Sequence, residues 1–171
     1  FSSRRRHTRL LTVTGVQTCA LPICDIRSNG VDTSNGSRST GSIPFMHVVD
    51  SQMLAFNQGV TRRGSYAAYI NISHPEVEEF INMRKTTGGD LNRKCLNLHN
   101  AINITNEFLN AVAEDDEWRL IDPKTNTAVK IVQARDLWFK IIQNRMETGE
   151  TYLIKIDNCN YALPEEQKTL G

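Results

Sequence analysis

Two polar, arginine-bearing loops hold the residues whose types and spacing could do chemistry. The first, Asp25 to Ser42, carries Arg27 and Arg38 with Thr33, Ser34, Asn35, Gly36 and Ser37 between them. The second carries Gln58, Gly59, Arg62, Arg63, Gly64 and Ser65, so two adjacent arginines lie between two glycines. Guanidinium groups bind phosphate oxygens in a bidentate fork, and glycine lets the backbone approach a ligand closely. Small hydroxyl and amide side chains suit the edges of sugars and bases. The pattern points to a phosphorylated ligand, with a solvated surface hairpin as the plain alternative.

Other chemistries find little support. No Ser/His/Asp or Cys/His constellation is legible, and His47, His74 and His99 fall on separate elements as packing or capping residues. Neither GxGxxG nor GxxxxGK[ST] occurs, so dinucleotide-fold and P-loop mechanics do not apply. Glu114, Asp115, Asp116 and Glu117 read as a solvated turn. Cys95 and Cys159 are too few and too widely spaced for a disulfide framework or zinc site, which implies packed thiols and a reducing cytoplasm. No metal ligands are assigned.

The elements that must position the loops can be read from periodicity. Ile43 to Phe56 has apolar residues at helical spacing, and Ser65 to Ile72 is strand-like. Ser73 reads as the N-cap of a helix with Pro75 and Glu76 in its first turn and Val77, Phe80 and Ile81 inward. Cys95 to Ile104 alternates with period two, predicting a strand covered on one face. A helix opens at Thr105 and Asn106, and Glu117 to Val132 forms a hairpin turning at Asp122, Pro123 and Lys124. Gln133 to Gly149 is a helix with Leu137, Ile141 and Met146 inward, and Thr151 to Asn160 is a last strand. Strands alternating with helices imply an α/β class with a largely parallel sheet.

At 171 residues, 39% hydrophobic and 23% charged, the chain can bury a sizeable core, and no apolar run is long enough to span a bilayer. The average hides a break. Phe1 to Cys24 contains Arg4, Arg5, Arg6 and Arg9 and no acidic residue; without it the net charge of +1 becomes −3. A nucleic-acid arm, a presequence and a metal site at Cys19 and Cys24 are the functional readings of this stretch. It closely resembles translated read-through of a sequencing adapter, so residues 1–24 are set apart as an artefact and 25–171 are taken as the domain fragment.

"STGSIPF", "NQGVTRRGSYAAYINISHPEVEEFINMRK", "LNLHNAINIT", "ARDLWFKIIQNRMETG" and "YLIKIDNCN" resemble, in order and spacing, the large α subunit of ribonucleotide reductase. The resemblance covers Asp25 to Gly171. It implies an incomplete part of a ten-stranded α/β barrel whose parent reduces ribonucleotides to deoxyribonucleotides by a cysteine thiyl radical. It further implies that Arg27 contacts the phosphates of an allosteric deoxynucleotide (dNTP) and that Thr33 to Ser37 form a first specificity loop, here about one residue short. Gln58 to Ser65 match the second specificity loop between effector and substrate, with Arg62 or Arg63 facing a phosphate. ATP and dNTP effectors, an α homodimer and a small radical-generating β subunit are the implied partners, with no membrane and no nucleic acid. The fragment binds no cofactor on this reading; the parent expects a radical from a metal-containing subunit, or from adenosylcobalamin in the alternative class, and an external dithiol reductant. The radical cysteine is expected in an "NLC-E" type motif beyond Gly171, which leaves this chain without catalytic residues and inactive alone. A non-catalytic nucleotide- or nucleic-acid-binding module is the competing reading.

Overall fold

The computed structural model describes residues 18–55 and 65–165. Its sheet is built from β1 (Thr18–Pro22), β2 (Ser65–Asn71), β3 (His99–Ile104) and β6 (Tyr152–Lys155), all parallel and adjacent in chain order. Helices α1 (Ile43–Ala55), α2 (Val77–Asn82), α3 (Asn106–Glu114) and α4 (Ala134–Thr148) fill the crossovers, and α5 (Ile156–Tyr161) follows β6. Strands β4 (Glu117–Ile121) and β5 (Ala128–Gln133) form a separate antiparallel hairpin between α3 and α4. Parallel crossovers are almost always right-handed, so strands added in sequence order place their helices on one face. Such winding leads toward a barrel, and four strands leave it open.

Burial agrees with that winding. Ala68 and Ile70 from β2, Ile72 just after it, and Ile102 and Ile104 from β3 join Ile43, Met46, Phe80, Ile81, Phe108, Leu137 and Ile141 in one core. The other face of the sheet carries Tyr69 with Asn71 and Asn103, whose side-chain amides share a 3.0 Å hydrogen bond. Phe108 meets Trp118 edge-on with ring centroids 5.1 Å apart, fastening α3 to the hairpin. Ile121 N–H donates to the Ser73 carbonyl at 2.7 Å, which fixes the hairpin to the end of β2.

Several boundaries differ from those expected. Ser73 does not cap a helix: α2 begins at Val77 after Glu76, and the Ser73 carbonyl is already engaged by β4. The strand expected over Cys95 to Ile104 starts at His99, because the preceding backbone is tied to helices. Cys95 N–H donates to the Met83 carbonyl at 3.1 Å, and Asn97 N–H to Asp50 of α1 at 2.9 Å. Period-two burial fails in β3, since Asn100, Ala101 and Ile102 are all buried. Asn100 is satisfied there by Thr151 N–H and the Phe80 carbonyl.

Met146 is 83% exposed and not inward. It lies five residues beyond Ile141, about 140° around the helix, whereas Asn144 is seven beyond Leu137 and falls on the buried face. The last strand is also shorter than expected. Ile156–Tyr161 is helical, and Asp157 accepts the N–H of Asn106 at 2.5 Å, drawing "DNCN" out of the sheet. The composition break and the fold do not share a boundary. Thr18–Pro22 pairs along its length with Ser65–Tyr69, and Ile23 is in the core.

Candidate functional site

The first loop is a hairpin-like excursion on a braced stem. Gly30 N–H donates to the Ser39 carbonyl at 2.9 Å and Ser39 N–H to that of Val31 at 2.8 Å, while Asp32 and Arg38 form an antiparallel bridge. At the tip, Thr33 N–H and Oγ1 both donate to the Ser37 carbonyl, at 2.7 and 2.8 Å, and Gly36 N–H donates to that of Thr33. Gly36 has φ +76°, the left-handed region that closes such a turn. Ser34, Asn35, Gly36 and Ser37 are exposed, so the tip is ordered by its own backbone and presents small polar groups to solvent.

Arg27 is half-buried at the stem and donates Nη1 to the Asp32 carbonyl at 3.2 Å. The other guanidinium donors of Arg27 have no partner among the described residues, which leaves most of the fork for an anion. Arg38 is exposed and 4.0 Å from the Asp32 carboxylate, a weak surface pairing. Of the two, Arg27 is the more buried and is held at the stem by a single hydrogen bond to the Asp32 carbonyl among the described residues.

The stem is seated on residues that follow β2. Glu76, 5% exposed, accepts from Asn29 N–H at 3.2 Å, Ser42 N–H at 2.7 Å and Ser42 Oγ at 2.6 Å. Arg93 lies 3.5 Å from the same carboxylate and donates to the Thr40 carbonyl at 3.0 Å. His74 Nδ1 accepts from Glu76 N–H at 3.1 Å, so Nε2 carries the proton and donates to the Ile26 carbonyl at 2.9 Å. The hairpin contributes Asp122. Burial pushes its carboxyl up, but donors from Thr125, Lys124 and the nearby Ser28 backbone outweigh this and hold it below the usual carboxylate range.

Gln58, Gly59, Arg62, Arg63 and Gly64 lie outside the described residues, as does the basic run Arg4 to Arg9. Ser65 opens β2, so the second loop leads directly into the strand whose far end reaches His74 and Glu76. In the chain the two loops flank α1. The sequence pattern missed the seat: His74 was expected only to pack or cap, and Glu76 only to lie in a helix's first turn. The "HP-E" run directly after a strand was the available signal.

The remaining candidates recede. Glu107, Asn110, Glu114, Asp116, Arg119 and Trp118 line a groove of about 550 Å³, and its acidic rim repels phosphate. His47 Nδ1 donates to the Lys94 carbonyl at 2.6 Å, and His99 sits 3.3 Å from Glu150, both structural contacts. Burial, with Asp50 nearby, pushes the Cys95 thiol up to about 12, so it stays protonated and unreactive. Cys159 lies on α5. No group of metal ligands occurs among the described residues.

A sequentially wound parallel sheet with helices in its crossovers, and an arginine-bearing loop seated before its second strand, defines an open piece of an α/β barrel. The family model for the ribonucleotide reductase barrel domain matches residues 18–171, and the chain belongs to that family. A Frog virus 3 (isolate Goorha) protein, provisionally named as a ribonucleoside-diphosphate reductase large subunit, is 50% identical over 135 residues, covering 79% of this chain and 24% of the relative. The ribonucleoside-diphosphate reductase large subunit of Invertebrate iridescent virus 6 is 45% identical over 149 residues, 83% of this chain and 15% of the relative. A vitamin B12-dependent ribonucleoside-diphosphate reductase of Thermoplasma acidophilum is 29% identical over 126 residues, covering 74% of the chain and 16% of the relative. The chain therefore spans about a quarter or less of these relatives, at 24%, 15% and 16%.

Proposed function

We propose that this chain is the effector-loop portion of a ribonucleoside-diphosphate reductase large subunit, an oxidoreductase that makes deoxyribonucleotides. The observation that carries the reading is the barrel-domain match over residues 18–171, which spans both arginine loops. The first loop takes the phosphates of a dNTP or ATP effector, with Arg27 as the principal donor and Thr33 to Ser37 toward sugar and base. The second loop, Gln58 to Ser65, senses which effector is bound and adjusts the choice of ribonucleotide. Both roles use recognition chemistry available to these side chains, and neither asks this segment to break a bond.

The radical chemistry belongs to cysteines outside Phe1 to Gly171. The parent works with a second α copy and a small β subunit, whose metal centre supplies an oxidising radical when present, and an external dithiol closes the cycle. The relatives at 50% and 45% identity carry large-subunit names, which favours this class over the adenosylcobalamin one. For the α homodimer, support comes from α1, which exposes Phe45, Val48 and Leu54, an apolar surface suited to a second copy. Free Cys24, Cys95 and Cys159 fit a reducing, cytoplasmic setting. Residues 25–171 are the reductase piece on this reading, and residues 1–24 owe their origin to adapter read-through. Pairing of β1 with β2 does not conflict with such an origin, because ladder hydrogen bonds use backbone groups that every sequence has.

The test is made in the full-length subunit with Arg62→Ala and Arg63→Ala. The ratio of reduction rates for two competing ribonucleotides is measured with and without each deoxynucleotide effector. A lost charged contact is worth about tenfold to a hundredfold in affinity, similar to typical coupling between sites, so one variant should lose most of the effector-dependent switch. If both variants keep the full switch, the arginines belong to a solvated hairpin.

A further inference from the structure

The first loop needs a fixed base if its tip is to meet a ligand, and one carboxylate supplies it. Glu76 gathers donors from both ends of the loop, with Asn29 N–H on one oxygen and Ser42 N–H and Oγ on the other. Arg93 completes the set at 3.5 Å and reaches the Thr40 carbonyl at 3.0 Å, adding a contact on the outgoing strand of the stem. Arg93 is itself held by Glu79, with Nη2 to Oε2 at 2.6 Å. A carboxylate accepts in about four directions and donates in none, and an amide cannot match it against four donors.

Burial sharpens the argument. A charge only 5% exposed is costly unless paired and hydrogen-bonded, and here every donor that compensates it, save Arg93, comes from the loop. The seat is also shaped for backbone. Gly41 has φ +86°, and a Cβ added there would lie 1.9 Å from Glu76 Oε1. Glu76 is joined through His74 to the Ile26 carbonyl at the loop's entry, so entry, Asn29 and exit are referred to the same short segment after β2.

We propose that Glu76 is a positioning residue for the first loop, holding residues 29–42 so that Arg27 and the tip meet a deoxynucleotide effector. The role rests on the effector reading given above. Glu76 touches no ligand; it acts through the loop it seats.

The experiment uses the full-length large subunit, Glu76→Gln and, as a milder variant, Ser42→Ala. Amide hydrogen exchange over residues 29–42 is read together with the dATP concentration that half-saturates the substrate-choice response and the reduction rate at saturating dATP. Glu76→Gln should speed exchange in that segment and raise half-saturation about tenfold or more, moving it far more than the saturated rate. Ser42→Ala, which keeps the carboxylate and removes one donor, should give a smaller shift in the same direction. Unchanged exchange, or faster exchange with unchanged half-saturation, overturns the proposal. So does an equal fall in saturated rate and effector affinity, which a general loss of packing would produce. If Glu76→Gln fails to fold, Ser42→Ala decides by the same criteria. A parent subunit that binds no dATP overturns the effector reading and the proposal together, whereas normal parent binding with unaltered variants overturns the proposal alone.

Discussion

A single buried carboxylate has to be compensated by everything that packs on it, and around Glu76 that requirement reaches a glycine. Gly36 and Gly41 both sit at positive φ, +76° and +86°, yet their surroundings are opposite. Nothing lies within 4 Å of a Cβ built at Gly36, while at Gly41 the Glu76 carboxylate occupies the space. Gly36→Ala should therefore cost only the backbone penalty of the left-handed region, about 1–2 kcal/mol. Gly41→Ala should cost about that much again or more, since overpacking typically adds about 1–3 kcal/mol. Urea unfolding of the two variants, compared at equal slope, makes the check; equal losses would mean that the loop is not seated on Glu76.

Between elements, one carboxylate on α2 links two others. Glu78 accepts from Lys130 of β5 and from Lys140 of α4, the latter at 2.5 Å. Hydrogen bonds from Lys130 and then Lys140, against a smaller opposing push from burial, lower the Glu78 carboxyl below its ordinary 4.5. A carboxyl that ionises more easily folded than unfolded contributes stability that is complete above its unfolded value. That contribution is lost as pH falls through the lowered folded value. Both lysines are more than half exposed, at 54% and 55%, so salt screening keeps the effect modest. Unfolding midpoints measured from pH 6 down to pH 3 should show a steeper acid loss in the parent than in the Lys130→Met/Lys140→Met double variant. Parallel curves would remove any role for this network.

Across the whole molecule, the sheet is open and its first strand matters. Ile23 is 3% exposed within the core, and β1 covers the edge of β2 along five paired positions. Setting residues 1–24 apart by composition does not make them structurally idle, since β1 pairs with β2 and Ile23 is in the core. Deleting Phe1 to Cys24 should lower the melting temperature and increase self-association, because it empties a core site and bares a strand edge. Differential scanning calorimetry with sedimentation velocity makes the check. An unchanged, monodisperse transition would show that β1 and Ile23 contribute nothing.

What local pattern could establish was element type. The α/β alternation, Thr105 as the cap of α3 and Gly149 as the stop of α4 were legible, since each follows from neighbours within a turn or two. The arginines and small polar residues of the first loop raise the expectation of an anion from residue type alone. Long-range partners decided the rest. Met146 faces solvent because Asn144 takes the helix phase that meets Thr151; Cys95 to Leu98 leaves the sheet because Asp50 and Met83 claim its backbone donors. Glu76 looked like any first-turn acid, and only the folding of residues 29 and 42 onto it, across 47 and 34 positions of chain, made it the loop's base. Hydrogen-bond partners that far apart leave no periodicity to read, so tertiary structure alone could assign them.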